Sequence, residues 1–307
     1  MLSYTLRRLL AAIPTLLFVI LGAFLLIRAA PGGPFDEERV LPPQIEANIR
    51  AAYHLDEPLP RQFLRYLGGV VTGDLGPSYG HLDYTVGRLI ADAFPLSLML
   101  GGLAMLLALT LGISAGAAAA LRPDTLVDRG VMALSMTGIS IPVFVIAPVL
   151  VLAFAVALDW FPAGWSGSGE FSRLVLPVVA LALPQLAYIA RLTRASLIEV
   201  LASDYIRTAR AQGLPTSTLL LVHAARPALL PVLSYLGPAI AAVLTGSVVV
   251  EQVFGIPGLG QYFVNGALNR DYTLVLGIVI FYAALILFLN LAVDILYAVL
   301  DPRIRLE

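Results

Sequence analysis

The sequence predicts an all-α, polytopic membrane protein with six transmembrane helices, and two observations lead to this prediction. Of the 307 residues, 59% are hydrophobic and only 13% are charged, whereas a soluble domain has about 25% charged residues. In addition, six windows contain no charged residue and approach or exceed the roughly 20 residues that a membrane span requires. We therefore expect residues 1–307 to form a single transmembrane domain.

The six charge-free windows are Leu9–Ile27, Ala93–Leu121, Gly130–Leu158, Leu174–Ala190, Pro227–Val250 and Tyr272–Val293. The fourth window is the shortest, so we expect flanking residues to lengthen its helix. The first window follows two arginines and could be mistaken for a signal peptide. It is long for such a segment, however, and no small-residue cleavage site precedes Pro31, which predicts a retained first helix.

The placement of arginine predicts the orientation of these helices. All 19 basic residues are arginine. Eleven of them lie in residues 1–8, 122–129, 191–226 and 294–307, which the windows place on one side of the membrane. The opposite side holds eight, but six of these lie in one long loop, and long loops count little in the positive-inside rule. Both termini are therefore expected in the cytoplasm.

The absence of two residue types excludes several kinds of chemistry. A chain without lysine cannot form the phosphate-binding loop of an ATPase or a Schiff base, and a chain without cysteine has no disulfide or thiolate metal ligand. The net charge of −1 gives no indication of nucleic-acid binding. We expect no cofactor to bind to this chain itself.

Residues 28–92 form a long outer loop whose prolines and glycines predict a small cap of short helices. One helical stretch is predicted to end near Tyr53, and a second covers Phe63 to Val71. Such a cap is either a docking surface for a soluble partner or a lid that shields the ends of the membrane helices. His54 and His81 lack metal-ligand spacing, so we expect both to be solvated.

The inner segment 191–226 has the start and stop signals of a short helix. Ser203 is suited to the N-cap, and Gly213 with Pro215 ends the helix. Helical spacing places Tyr205, Ala209 and Gln212 on one face. A short helix with small residues on its surface can enter a groove on another protein, but a solvated elbow between two membrane helices would look similar.

Three further patterns fall near the spans. An outer gate is one interpretation of a turn-rich stretch, and an ordinary loop is the other; its candidate residues are Glu251, Phe254, Gly255 and Pro257. A polar stripe is predicted on the last helix, with a structural role favoured over substrate lining; it consists of Asn290, Asp294, Tyr297 and Asp301. Gly112 and Gly116 form a small-x-x-x-small pair suited to close helix packing.

Several stretches of the sequence resemble binding-protein-dependent ABC permeases of the peptide-importer branch. The inner segment reads Tyr205-Ile-Arg-Thr-Ala-Arg-Ala-Gln-Gly-Leu214, with Ala228-Leu-Leu-Pro231 downstream. Similar stretches are Gly73-Asp-Leu-Gly76, Gly255-Ile-Pro-Gly-Leu-Gly260 and Asn265-Gly-Ala-Leu-Asn-Arg-Asp-Tyr272. The chain is most similar to the B-type membrane subunit of oligopeptide permeases, with dipeptide permeases a near neighbour. Arg207 stands where the general consensus has glutamate, as in the peptide branch.

The resemblance implies a type I ABC importer permease fold in a bacterial inner membrane. It also implies a second homologous permease, two cytoplasmic ATPase subunits that bind ATP and magnesium, an extracytoplasmic peptide-binding protein and surrounding lipid. The implied ATPase-coupling residues are Asp204, Tyr205, Ile206, Arg207, Thr208, Ala209, Arg210, Ala211, Gln212, Gly213 and Leu214. A second cytoplasmic contact would comprise Arg122, Pro123, Asp124 and Asp128.

Other functions remain as alternatives. Relatives of this branch are associated with nickel chelates or oligosaccharides as well as peptides. An ion-coupled carrier would usually show ionisable residues within its spans and internal repeats, and an intramembrane hydrolase would need a nucleophile elbow or a zinc-binding histidine pair. The sequence shows none of these features.

Overall fold

The computed structural model describes residues 2–29, 56–81, 83–167 and 170–300, and within these ranges the chain is helical with no β-strand. Five of the helices are long and apolar enough to cross a membrane, and a bent pair of shorter helices makes a sixth span if it is counted as one. The prediction of an all-α membrane protein is confirmed. The α-helices of eight or more residues are, in chain order, α1 Leu2–Ala29, α2 Leu59–Thr72, α3 Val86–Leu121, α4 Leu126–Ser140, α5 Val143–Leu150, α6 Ser172–Leu201, α7 Asp204–Ala211, α8 Ala225–Phe254, α9 Leu259–Leu268 and α10 Tyr272–Leu300.

The third predicted span is not a single straight helix. Helix α4 ends at Ser140, and the chain resumes as α5 with a π-helical continuation, Val151–Ala157, at an angle of 106° to α4. The break falls at Ile141 and Pro142, which are both extended. A proline lacks the N–H of the helical ladder and disfavours helical geometry at the residue before it, so charge spacing alone could not reveal this bend.

Helix α6 is the centre of the larger of two compact units, which consists of residues 1–8, 97–256 and 286–307. It packs against α4, α5 and α8. The rings of Tyr188 and Tyr235 stack 4.1 Å apart, and the Tyr235 hydroxyl donates a hydrogen bond to Gln185 at 2.8 Å, which ties α8 to α6. At 30 residues, α6 extends well beyond its charge-free window, as the short length of that window had predicted.

Gly112 and Gly116 let α3 approach α6 closely, which confirms the packing role predicted for this pair. A Cβ atom on Gly112 would lie 3.0 Å from Cβ of Ile189, and one on Gly116 would lie 2.7 Å from Cβ of Thr193. It would also run into the carbonyl oxygen of Ala190. The two backbones can therefore meet only because both positions lack a side chain.

We predict that Gly116→Ala lowers the free energy of unfolding of the purified protein by about 1–3 kcal/mol, the usual cost of overpacking, and so lowers its melting temperature. Gly102→Ala is the matched control, because Gly102 lies in the same helix and an added Cβ there would meet no atom within 4 Å. Helix propensity favours alanine at both positions, so only the contact with α6 distinguishes the two variants. Equal melting temperatures in detergent would contradict this account of the packing.

The second unit consists of residues 9–96 and 257–285. Its buried core joins the start of α3 to α9 and α10, with Val86, Leu89, Leu259, Leu274 and Ile278 in contact. Helix α2 begins after Pro58 and ends at Gly73, which has a φ of +81°, so it contains the second helical stretch predicted for residues 28–92. The first predicted stretch and His54 lie outside the described residues.

A buried carboxylate holds the turn between α2 and α3 against the start of α10. Asp271 is 1% exposed. It accepts hydrogen bonds from the Ser78 hydroxyl, from the Gly80 N–H at 2.9 Å and from the Leu274 N–H at 3.1 Å. His81, expected to be solvated, is half-buried in this turn with its ring 5.5 Å from that of Tyr262.

Candidate functional site

Helix α7 begins and ends where the sequence predicted. Ser203 occupies the N-cap position but donates its hydroxyl hydrogen bond to the Val200 carbonyl at 2.6 Å, so it does not cap α7 with its side chain. At the other end, Gly213 has a φ of +83° and its N–H bonds the Arg210 carbonyl at 3.0 Å. The predicted glycine stop is confirmed, and the predicted side-chain cap is wrong.

One face of α7 is anchored in the protein. Ile206 is fully buried in a cluster with Ala120, Leu197, Ala224 and Ala228, which belong to α3, α6, the π-helical turn Leu219–Ala224 and α8. Ala209 is also buried on this face. The short helix is therefore packed against α3, α6 and α8, the three longer helices that contribute to this cluster.

The three residues that helical spacing places on one face of α7 do not share one environment. Tyr205 is 49% exposed and Gln212 is exposed, whereas Ala209 is buried with Ile206. The residues available to a partner are Asp204, Tyr205, Arg207, Thr208, Arg210, Ala211, Gln212 and Gly213. Asp204 and Arg207 form an exposed ion pair at 3.3 Å, of the kind that contributes little to stability.

The turn after α7 provides a test of the candidate site. A Cβ added to Gly213 would meet no atom within 4 Å, so the cost of substitution there comes from the left-handed backbone, whose φ is +83°. Gly213→Val should cost roughly 1–3 kcal/mol at this turn and lower ATP-coupled uptake. Gly213→Asn is the matched control, because asparagine tolerates left-handed geometry. The account fails if both variants transport like the wild type.

The loop 122–128 was predicted as a second contact, and one of its members is buried. Asp128 is 3% exposed and pairs with Arg194 of α6, whose Nη2 lies 2.6 Å from the Asp128 Oδ2. The same carboxylate accepts a hydrogen bond from the Asp124 N–H at 3.0 Å. Arg122, Pro123 and Asp124 are exposed. Asp128 thus fixes the loop from inside, and it is not an exposed contact residue.

Two of the four candidate gate residues are packed inside the protein. Glu251 is fully buried and Phe254 is 2% exposed. The Phe254 carbonyl accepts a hydrogen bond from the Trp165 N–H at 2.8 Å, and Gly255 ends α8 with a φ of +65°. Only Gly255 and Pro257 lie at the surface. The end of α8 is therefore a packed junction, and no pattern in the sequence pointed to Trp165.

The polar stripe of the last helix contacts other helices within the larger unit. The Asn290 amide oxygen fills the space where Gly237 of α8 lacks a side chain. Asp294 pairs with Arg8 of α1 at 3.2 Å. These contacts agree with the structural role favoured for the stripe. Tyr297 continues the helix half-buried, and Asp301 lies outside the described residues.

An apolar cavity of about 470 Å³ lies beside the bend between α4 and α5. Its wall is formed by α3, α4, α5 and α6, with Ser135 and Thr137 as its polar residues and no charged side chain. A wall of this kind offers no group that distinguishes ligands by charge.

Two family models match the chain. Residues 108–306 match the binding-protein-dependent transport system inner membrane component, and residues 1–100 match the N-terminal part of such membrane components. The chain therefore belongs to this family and is a multi-pass inner membrane component.

Curated relatives align along the whole chain. It is 53% identical to the oligopeptide transport system permease protein OppB of Escherichia coli (strain K12), over 99% of this chain and 100% of that protein. The identity is 52% to OppB of Haemophilus influenzae, with the same coverage. It is 42% to the dipeptide transport system permease protein DppB of Bacillus subtilis (strain 168), over 100% of this chain and 99% of the relative. A solved amino acid ABC transporter is 21% identical, with a TM-score of 0.49, over 71% of this chain and 94% of that one.

Proposed function

We propose that this chain is the transmembrane permease subunit of an ATP-driven importer that takes up oligopeptides or dipeptides. The observation that carries the proposal is the 53% identity to an oligopeptide permease over 99% of the chain. The sequence has no lysine for an ATP-binding loop, so the energy must come from partner subunits. The chain is a transport subunit and not itself an enzyme.

Helix α7 is the proposed contact with the ATPase subunits. Its exposed face carries small and polar side chains, and its opposite face is anchored by Ile206 in three longer helices. When the ATPase subunits close on ATP and magnesium, movement of their groove would be transmitted through this anchor. The exposed residues Arg122, Pro123 and Asp124 supply a second contact, which the Asp128–Arg194 pair holds in place.

The remaining partners follow from the same role. A second homologous permease completes the pathway as a heterodimer, and an extracytoplasmic peptide-binding protein docks on the cap 28–92. The bent span exposes large apolar side chains, such as Leu134, Phe144 and Leu152. A surface of this kind must be covered by lipid or by another membrane subunit. The apolar cavity beside it fits a passage that accepts peptides with little regard to their side chains.

In this role both termini and α7 lie in the cytoplasm, and the cap lies outside. The natural chain has no cysteine, so single cysteines can report orientation without background. In right-side-out vesicles, Asp83→Cys should react with a membrane-impermeant maleimide and Thr208→Cys should not, whereas in inverted vesicles the pattern reverses. The opposite pattern would contradict the proposed orientation.

The function is tested by transport with the complete complex in proteoliposomes. ATP, binding protein and a tripeptide should together drive accumulation of the peptide, and omission of ATP should abolish it. Transport of a nickel chelate or an oligosaccharide in place of peptide would reassign the substrate. Accumulation driven by an ion gradient without ATPase subunits would overturn the permease proposal and favour a secondary carrier.

A further inference from the structure

The smaller unit contains a cavity of about 300 Å³. It is enclosed by the end of α1, by α2, by the turn after α2 and by the start of α10. Its wall includes Phe24, Arg28, Arg65, Tyr66 and Tyr272, and also the acidic residue Asp74, whose carboxylate accepts a hydrogen bond from the Gly76 N–H at 2.9 Å. The cavity therefore combines two arginines and aromatic side chains with one carboxylate at the end of a membrane helix.

Two polar groups in this wall lack a matching partner among the described residues. The Arg28 guanidinium lies 5.5 Å from the centre of the Phe24 ring and forms no ion pair with a residue that the structure describes, whereas Arg65 pairs with Glu57 at 2.7 Å. The Tyr66 hydroxyl oxygen is buried and has no hydrogen-bond partner within the described part of the chain. Burial raises the pKa of Tyr66, and nearby Tyr79 raises it further, so the hydroxyl keeps its proton and can donate it in a hydrogen bond.

A cation and a buried hydroxyl donor that face one cavity are suited to an anionic oxygen acceptor. Arginine binds phosphate with charge-assisted hydrogen bonds, and a hydroxyl adds a further bond to a phosphate oxygen. An acceptor there would remove the cost of leaving the buried Tyr66 hydroxyl without a hydrogen bond. The chemistry of the cavity thus points to a phosphate group.

The surroundings of the cavity identify the source of that phosphate. Arg28 directly follows the apolar stretch of α1. On the face of α1 that does not pack against the protein, the side chain of Phe18 is 78% exposed and that of Leu26 is 74% exposed. Tyrosines such as Tyr66 and Tyr272 are enriched at the level of lipid headgroups. Acyl chains can lie along the exposed face of α1 while the headgroup enters the cavity, whereas a free phosphate would leave that face uncovered.

We propose that this cavity binds the phosphate group of a membrane phospholipid, with Arg28 as its ionic partner and Tyr66 as a hydrogen-bond donor. The bound lipid would fix the end of α1 to α2 and to the start of α10. This assignment requires only that the chain lies in a membrane and does not depend on the transported substrate.

The test is native mass spectrometry of the purified full chain, released from detergent micelles after titration with phosphatidylglycerol. Arg28→Gln should lower the affinity of the first bound lipid by about tenfold, and Tyr66→Phe by a smaller factor, because a charged hydrogen bond contributes more than a neutral one. Arg88→Gln is the matched control. Arg88 also lies over an aromatic ring, 5.1 Å from the centre of Tyr84, but it does not line the cavity.

Two results would overturn the proposal. One is unchanged lipid affinity in both Arg28→Gln and Tyr66→Phe; the second variant removes only an oxygen atom and should fold normally. The other is complete displacement of the lipid by millimolar inorganic phosphate, which would assign the cavity to a soluble anion. Loss of lipid in Arg28→Gln and Tyr66→Phe but not in Arg88→Gln, with no displacement by phosphate, would support it.

Discussion

Ile206→Ala is expected to uncouple ATP hydrolysis from transport while leaving the membrane helices intact. Ile206 is fully buried and is the only large side chain that α7 places in the cluster holding it. Truncation of a buried isoleucine costs about 2–5 kcal/mol, and a helix of eight residues is not stable alone. Helix α7 should therefore detach from α3, α6 and α8. Peptide uptake and peptide-stimulated ATPase activity should both fall at least several-fold.

Leu221→Ala is the matched control for this prediction. Leu221 lies in the π-helical turn that follows α7 and is 78% exposed, so its truncation removes a similar volume without opening a cavity. It should assemble and transport like the wild type. If Ile206→Ala also assembles and couples normally, α7 does not transmit the movement of the ATPase subunits.

Asp128→Leu is expected to have the second large effect, because it leaves Arg194 without its partner. Asp128 is buried and Arg194 is half-buried; removal of one member of such a pair destabilises a protein, whereas replacement of both members by apolar residues is often tolerated. The substitution also removes the acceptor of the Asp124 N–H and so releases the loop 122–125. We expect several-fold less folded protein in detergent, measured by size-exclusion chromatography, and weaker binding of the ATPase subunits.

The double variant Asp128→Leu with Arg194→Leu should recover much of the folded protein, because no unpaired charge then remains. It should not recover ATPase binding, since the loop still lacks its anchor. The exposed pair Asp204–Arg207 provides a control, because Asp204→Ala should leave the amount of folded protein unchanged. Equal yields of the single and double variants would show that the Asp128–Arg194 pair does not hold the loop.

The sequence predicted the ends of helices correctly where a charged residue or a glycine marks the boundary. Charge spacing located each span found among the described residues, and the glycine stop at Gly213 was predicted because a left-handed residue commonly ends a helix. The bend at Pro142 was missed, since a run without charges looks the same whether it is straight or broken. Its two halves meet at 106°, and only tertiary packing determines such an angle.

The candidate site was predicted in position but not in orientation. Spacing gives the face that residues share on a helix, but not which face the rest of the protein covers, so the burial of Ala209 with Ile206 could not be predicted. The partner of Asp128 could not be predicted either, because Arg194 lies 66 positions away in the sequence. Contacts between distant segments, such as Ser78 with Asp271, leave no local signal.

The most direct test of the account is ATPase activity of the complete complex in lipid nanodiscs, with and without peptide-loaded binding protein, for the wild type, Ile206→Ala and Leu221→Ala. The account predicts that loaded binding protein stimulates hydrolysis several-fold in the wild type and in Leu221→Ala, and that this stimulation is lost in Ile206→Ala although the complex remains assembled. Equal stimulation in all three, or no association of this chain with ATPase subunits, would contradict it.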